Sequence, residues 1–352
     1  MEDKSNLEEK ETPESEDKET AENIRFFEEE PEMQTVNVGL CSKTGGVSYT
    51  VLVIIYLLIS VVASIVTAIV ANGIMGKYGY TALSEALEHV QRSDAFIYVN
   101  YLLAPIMIAI CVLFITKRNK IEFNQIFPVK CKPKYYLIGV LLIFGLLFSL
   151  SNLNGLSVEF FKLFGYKPRE STSYFPDLSG GMVVPAFIVI VIMPAVFEEL
   201  MFRGLLLNCC QNGMGSIRAI LVTGFCFSLF HASPEQTVYQ FIAGCAFAFI
   251  AIRAGSILPS MVMHFINNAL IVIFAACNLF DEAGSLVMSN TAFIILTVFS
   301  AISFVGAVVW LVLDKTPLKK CEKGGVKVFF LYASVAIGAL GFIWLLSLFG
   351  VA

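Results

Sequence analysis

Beyond residue 48 the chain is a succession of continuous apolar runs separated by short polar stretches. About 20 helical residues cross the roughly 30 Å hydrocarbon core of a bilayer, and most of these runs reach that length. The pattern predicts spans over 49–71, 96–115, 135–153, 183–207, 216–233, 237–252, 257–278, 291–313 and 327–349. Nine is the count read here. The 237–252 run is short enough for a partial span, and 155–164 has the character of an interfacial helix, so eight is the neighbouring reading. The expected fold is an all-α, polytopic transmembrane helical bundle of about 8–9 spans. A transmembrane β-barrel is excluded because the runs are continuous rather than alternating. Four regions follow: an acidic tail over 1–47, N-terminal membrane helices over 48–181, a polar-bearing core over 182–278 and C-terminal membrane helices over 279–352.

Composition agrees and adds an asymmetry. Of 352 residues 57% are hydrophobic and 15% charged, against roughly 25% charged in soluble domains. Residues 1–35 hold 14 of the 28 acidic residues against Lys4, Lys10, Lys18 and Arg25. Such a segment lacks the apolar surface needed to fold alone, so the tail is expected to be disordered. Lysine and arginine concentrate in 116–134 and 314–327. With nine spans these two loops fall on one side with the tail, Arg218 and Arg253. That side holds 18 basic residues against 5 on the other, Arg203 set aside. By the positive-inside rule the N-terminus is expected to be cytoplasmic; the cluster Lys162, Lys167 and Arg169 runs against it.

Nine cysteines, an odd number without a C-x-x-C pair, argue against a disulfide framework or a cysteine zinc site. Packing residues are the expected role, the vicinal Cys209-Cys210 included.

Ionisable residues inside spans are costly and mark function by default. Here they are few. Glu198, Glu199 and Arg203 lie in V-F-E-E-L-M-F-R-G, His231 closes F-C-F-S-L-F-H, and His264 stands with Asn267 and Asn268 in M-V-M-H-F-I-N-N. Glu199 and Arg203 are i,i+4 neighbours with the acid first, the favourable order for an intrahelical ion pair, and are expected to be structural. Glu198 lies about 100° round the helix and needs another partner. His264 and Asn268 share a face, as do Phe227 and His231, with Phe227 expected to pack and position the histidine's helix. Pro194, one turn before Glu198, should bend its helix near the site. At 1.5 Å per residue, Glu198, His231, His264 and Asn268 fall in one slab about 10 Å thick, which allows one shared polar cavity. A carboxylate, two imidazoles and a carboxamide suit water activation and carbonyl polarisation better than ion conduction.

Three motifs, Glu198-Glu199-x-x-x-Arg203, Phe227-x-x-x-His231 and His264-x-x-x-Asn268, resemble those of the CAAX-prenyl protease and bacteriocin-processing family, also called CPBP or Abi. The resemblance covers about 183–275, and Arg253-Ala254-Gly255-Ser256-Ile257 looks like the family's entry into the third motif helix. It implies an intramembrane endopeptidase in which Glu198 deprotonates a water held jointly with His231. His264 and Asn268 would then stabilise the oxyanion, with Glu199–Arg203 fixing the helix. The family has also been described as zinc-dependent, with Glu198, His231 and His264 as ligands. Metal-free catalysis is the favoured reading, because H-E-x-x-H is absent and the ligands would come from three helices.

The substrate implied is a peptide or membrane-anchored protein in the bilayer, cut near the cytoplasmic side, and no nucleic-acid partner is expected. Two alternatives stand beside it. One is a non-catalytic scaffold or bacteriocin-immunity protein of the same fold; the other is a proton-coupled transporter, against which the chain has no internal repeat. No C-a-a-X terminus or organelle signal is visible, so the expected location is a bacterial plasma membrane.

Overall fold

The computed structural model describes residues 39–168, 175–280, 286–320 and 324–350. Residues 1–38 of the acidic tail lie outside the described residues, as do Arg169, Asp281, Glu282, Cys321 and Lys323. Every predicted apolar run is helical. The helices of these runs are α1 Ser42–Tyr78, α2 Asp94–Asn119, α3 Lys134–Lys162, α4 Gly180–Met214, α5 Ser216–Phe230, α6 Thr237–Ala254, α7 Leu258–Ala276, α8 Asn290–Leu313 and α9 Gly325–Leu348; short helices at Leu83–Gln91 and Phe123–Ile126 lie between them. Eight are long and apolar enough to cross a membrane. The short one is α5, with 15 residues, and not the 237–252 run. Apart from one bridge between Phe280 and Leu286, the described residues hold no β structure.

Local chemistry sets several of these bounds. Ser93 caps α2 by accepting from Phe96 N at 3.4 Å, and Ser289 caps α8 by accepting from Ala292 N at 3.3 Å. Gly255, with φ +61°, ends α6 in the left-handed conformation that glycine adopts without steric cost, which makes the 253–257 turn. The stretch near 155–164 is not a separate helix. It continues α3 across one π-helical turn at Leu146–Leu150. The first helix starts at Ser42 and runs 37 residues, so the tail is shorter at its helical end than the 1–47 boundary.

Successive helices run antiparallel, and hydrogen bonds gather their loops at two ends. At one end Asn212 donates to Leu40 O at 3.3 Å, and Lys319 donates to Asn212 Oδ1 at 2.6 Å. There too Ser256 donates to Pro128 O at 2.7 Å, Arg253 donates to Thr316 O, and Lys134 pairs with Asp314. The 116–134 and 314–327 loops therefore share an end, as their charge suggested. At the other end Asp177 N donates to Asp94 Oδ1 at 2.8 Å, Tyr166 to Glu235 Oε2 at 3.1 Å, and Trp344 to Thr237 Oγ1 at 2.7 Å. Large apolar side chains along α1 and α8, such as Leu58, Ile65, Phe299 and Ile302, are exposed. They make the lipid-facing surface of a bundle whose main core draws on α1, α2, α4–α7 and α9.

Candidate active site

Three motif helices meet in that core, and α4 is irregular on both sides of its acidic pair. π-helical turns occupy Phe187–Ile192 and Leu200–Leu206, with Met193–Glu199 between them. Pro194, where a bend is expected, lies just after the first of these turns, and π-helical turns recur at functional sites. Pro194 has no N–H to give to the Ile190 carbonyl. Asn268 of α7 donates its side-chain amide to that carbonyl at 3.1 Å. A carbonyl that a proline leaves open in α4 thus anchors a motif residue of α7.

Glu198 and Glu199 face opposite surroundings. Glu199 is fully buried, and its Oε1 accepts from Arg203 at 2.8 Å and from His264 Nδ1 at 3.0 Å. Arg203 donates also to Gly244 O at 3.3 Å, and its guanidinium lies 4.4 Å from the Phe227 ring centre and 4.9 Å from that of Phe247. The carbonyl is within reach because α5 and α6 touch backbone to backbone. A Cβ on Gly244 would stand 2.9 Å from Gly224 Cα. The expected pair is present, and it does more than neutralise two charges: Glu199 fixes one nitrogen of His264. Glu198 keeps 17% of its side chain exposed, with Oε2 4.0 Å from His264 Nε2.

His231 is the last residue of its helix to keep a right-handed backbone. Its N–H reaches Ser228 O at 3.2 Å, and Ala232 follows at φ +47°, a conformation that costs a non-glycine residue about 1–2 kcal/mol. The ring is held by Nδ1 against Phe227 O at 2.9 Å and by the Phe227 ring, 4.8 Å between centres. A carbonyl oxygen only accepts, so Nδ1 carries the proton and Nε2 of the neutral ring is an acceptor. Phe227 positions the imidazole directly, through its own carbonyl, as well as packing the helix.

Glu198, Phe227, His231, His264 and Asn268 all line one cavity of about 480 Å³. Spacing had brought Glu198, His231, His264 and Asn268 to one slab; the cavity joins them with Phe227. Its wall also contains polar residues with no sequence motif, namely Asn100, Gln236, Tyr239, Gln240 and Asn267. Two of them form a chain into the motif: Tyr239 OH donates to Asn267 Oδ1 at 3.3 Å, and Asn267 Nδ2 donates to Asn268 Oδ1 at 3.0 Å. With its oxygen so engaged and one N–H on Ile190 O, the Asn268 amide retains a second N–H. Asn267 is legible as a polar residue in an apolar run; Tyr239 carries no signal in the sequence.

As zinc ligands, Glu198, His231 and His264 offer suitable chemistry, a carboxylate and two imidazoles with Nε2 outside their structural hydrogen bonds. Their spacing suits an ion less well. Tetrahedral ligands at about 2.0 Å from zinc stand about 3.3 Å apart, against 4.0 Å between Glu198 Oε2 and His264 Nε2. Among the described residues no group of three or more His, Cys, Asp or Glu is arranged to hold a metal ion. The cysteines among them are unpaired, and Cys209 and Cys210 are fully buried packing residues.

Residues 180–270, about a quarter of the chain, match the family model described as Rce1-like, type II CAAX prenyl endopeptidase. The matched segment contains all three motifs and agrees with the resemblance carried by them. No curated protein and no solved structure matches the chain.

Proposed function

Taking as premise that residues 180–270 are of the Rce1-like family of CAAX prenyl endopeptidases, we propose that this membrane protein is an intramembrane endopeptidase. It hydrolyses a peptide bond of a membrane-associated protein or peptide with a water activated by Glu198. The observation that carries the reading is that Glu198 faces the cavity while Glu199, one residue on, is engaged behind it by Arg203 and His264.

A water between Glu198 and His231 gives one proton to the carboxylate and directs the other at the Nε2 lone pair of His231. Its oxygen bonds to the scissile carbonyl carbon, and the carbonyl becomes an oxyanion. The free N–H of Asn268 and Nε2–H of His264 stabilise that charge. His264 donates there when both ring nitrogens carry protons, one of which Glu199 accepts. Collapse of the intermediate breaks the C–N bond, and Glu198 returns its proton to the leaving amine. Tyr239 and Asn267 hold Asn268 in the donor orientation.

The test is cleavage of lipid-anchored, quenched peptides by the purified chain in H₂¹⁸O. One labelled oxygen in the new carboxyl terminus, at a rate unaffected by a strong chelator, is the expected result. Loss of cleavage in chelator with rescue by zinc would replace the metal-free mechanism. Peptides that bind and stay uncut would favour the scaffold reading.

A further inference from the structure

The lining of the cavity extends to one end of the bundle, its open end. Its outer wall includes Phe175, in the loop before α4, and Gln236, the residue that precedes α6, with Asn100 and Tyr101 from the second turn of α2. All belong to the end where Asp177 meets Asp94 and Trp344 meets Thr237. Towards the other, closed end the lining is Phe227, Phe247 and His264, and behind it stands the Glu199–Arg203 pair, both residues essentially without exposure, the guanidinium over Phe227 and Phe247 and Glu199 on His264. A peptide approaching from that end would have to break a buried ion pair.

The two ends differ sharply in charge. Among the described residues, and with Arg203 set aside, thirteen lysines and arginines lie at the closed end, in or next to the loops joined by Arg253–Thr316, Ser256–Pro128 and Lys319–Asn212. Four lie at the open end: Lys77, Arg92, Lys162 and Lys167. Acidic residues are distributed the opposite way, with Glu85, Glu88, Asp94, Glu159, Asp177 and Glu235 at the open end. Lysine and arginine in short loops are retained on the cytoplasmic side. That rule makes the closed end cytoplasmic.

We infer that the cavity takes its substrate from the extracytoplasmic side, so the bond it cuts lies in an exported peptide or in an extracytoplasmic, membrane-proximal segment of an anchored protein. The cut itself rests on the reading of the site as a protease; the side of access does not. This moves the expected cleavage away from the cytoplasmic side. The mouth suits an uncharged stretch of peptide backbone, since Asn100, Gln236 and Gln240 present neutral amides and Phe175 and Tyr101 present rings.

Two arms separate access from activity. In a cysteine-free, full-length chain, Ser179→Cys marks the open end and Lys132→Cys the closed end. A membrane-impermeant maleimide is expected to label Ser179→Cys in intact cells and Lys132→Cys only after permeabilisation. The reverse pattern overturns the inference, whether or not the protein is a protease. In the second arm the chain is reconstituted in vesicles, and a quenched peptide anchored in the outer leaflet is added afterwards. Cleavage should rise in proportion to the fraction of molecules whose residue-179 end faces outward. Cleavage that follows the fraction with the residue-132 end outward overturns it. Correct labelling with no cleavage, even in detergent, rejects the protease reading and leaves the side of access standing.

Discussion

The two sides of α4 at residues 198 and 199 carry the same functional group in opposite settings. Towards the cavity, Glu198 is partly exposed, and its nearest imidazole nitrogen is 4.0 Å away. Towards the core, Glu199 is fully buried and accepts from both Arg203 and His264. A carboxylate buried away from the cavity and charge-paired with a guanidinium is a poor acceptor for a water proton; one that faces the cavity with room beside it is a good one. Residue type therefore ranks neither acid, and helical phase together with the i+4 arginine ranks both. His264 links the two settings, with Nδ1 on the core acid and Nε2 towards the cavity acid.

The largest effect on stability is expected on the core side. Arg203→Met removes the cation and leaves Glu199 buried, which costs about 3–5 kcal/mol for one partner of a buried pair. Yield in membranes and thermal stability in detergent should both fall; a variant that melts like the wild type would break the contrast. Next is the helix contact that brings the Gly244 carbonyl to Arg203. Gly244→Ala sets a methyl 2.9 Å from Gly224 Cα, and overpacking of this kind costs about 1–3 kcal/mol. Thermal melts of Gly244→Ala and of its double variant with Arg203→Met should be less than additive, because both act on one cluster.

On the cavity side, Tyr239→Phe removes a hydroxyl that bonds Asn267, a net contribution of about 1 kcal/mol. Turnover is expected to drop about fivefold, at roughly that free energy, with little change in KM or melting temperature. An unchanged kcat would show that Asn268 needs no support from this chain. The smallest effect lies at the basic end of the bundle. Burial pushes the Asp314 carboxyl up, but hydrogen bonds from Lys134, Thr316 and Tyr135 outweigh it and hold the group well below the usual carboxylate range. Its contribution is present above the ordinary carboxylate value of about 3.9 and is lost as pH falls below it. The melting-temperature gap between the wild type and Asp314→Asn should therefore be constant near neutrality and close on acidification. A gap that widened in acid would contradict the assignment.

Much of this architecture was legible because a bilayer imposes a length and an apolar composition on whatever crosses it. All nine runs became helices, and the i,i+4 spacings of Glu199–Arg203, Phe227–His231 and His264–Asn268 put each motif on a helix face. What remained hidden depends on contacts between helices, which no single periodicity records. The hydrogen bond from Asn268 to the carbonyl beside Pro194, the Glu199–His264 bond and the Tyr239–Asn267 link are all of that kind. The π-helical turns around Glu198 leave the hydrophobic pattern intact and so gave no warning. The shortness of α5 is a matter of its ends: Gly215 at φ +80° before it and Ala232 at φ +47° after it. A hydropathy window reads straight through both.

The division between the two acids is tested most directly by measuring turnover and melting temperature together on Glu198→Gln and Glu199→Gln. Glu198→Gln should keep the wild-type melting temperature and lose turnover by about 10²–10⁴-fold, the usual contribution of a general base. Glu199→Gln should lose stability first, by the buried-pair cost, with activity falling alongside it. A Glu198→Gln protein that still turns over, or a Glu199→Gln protein that is stable and inactive, would contradict the assignment of the cavity acid as the base and the core acid as its support.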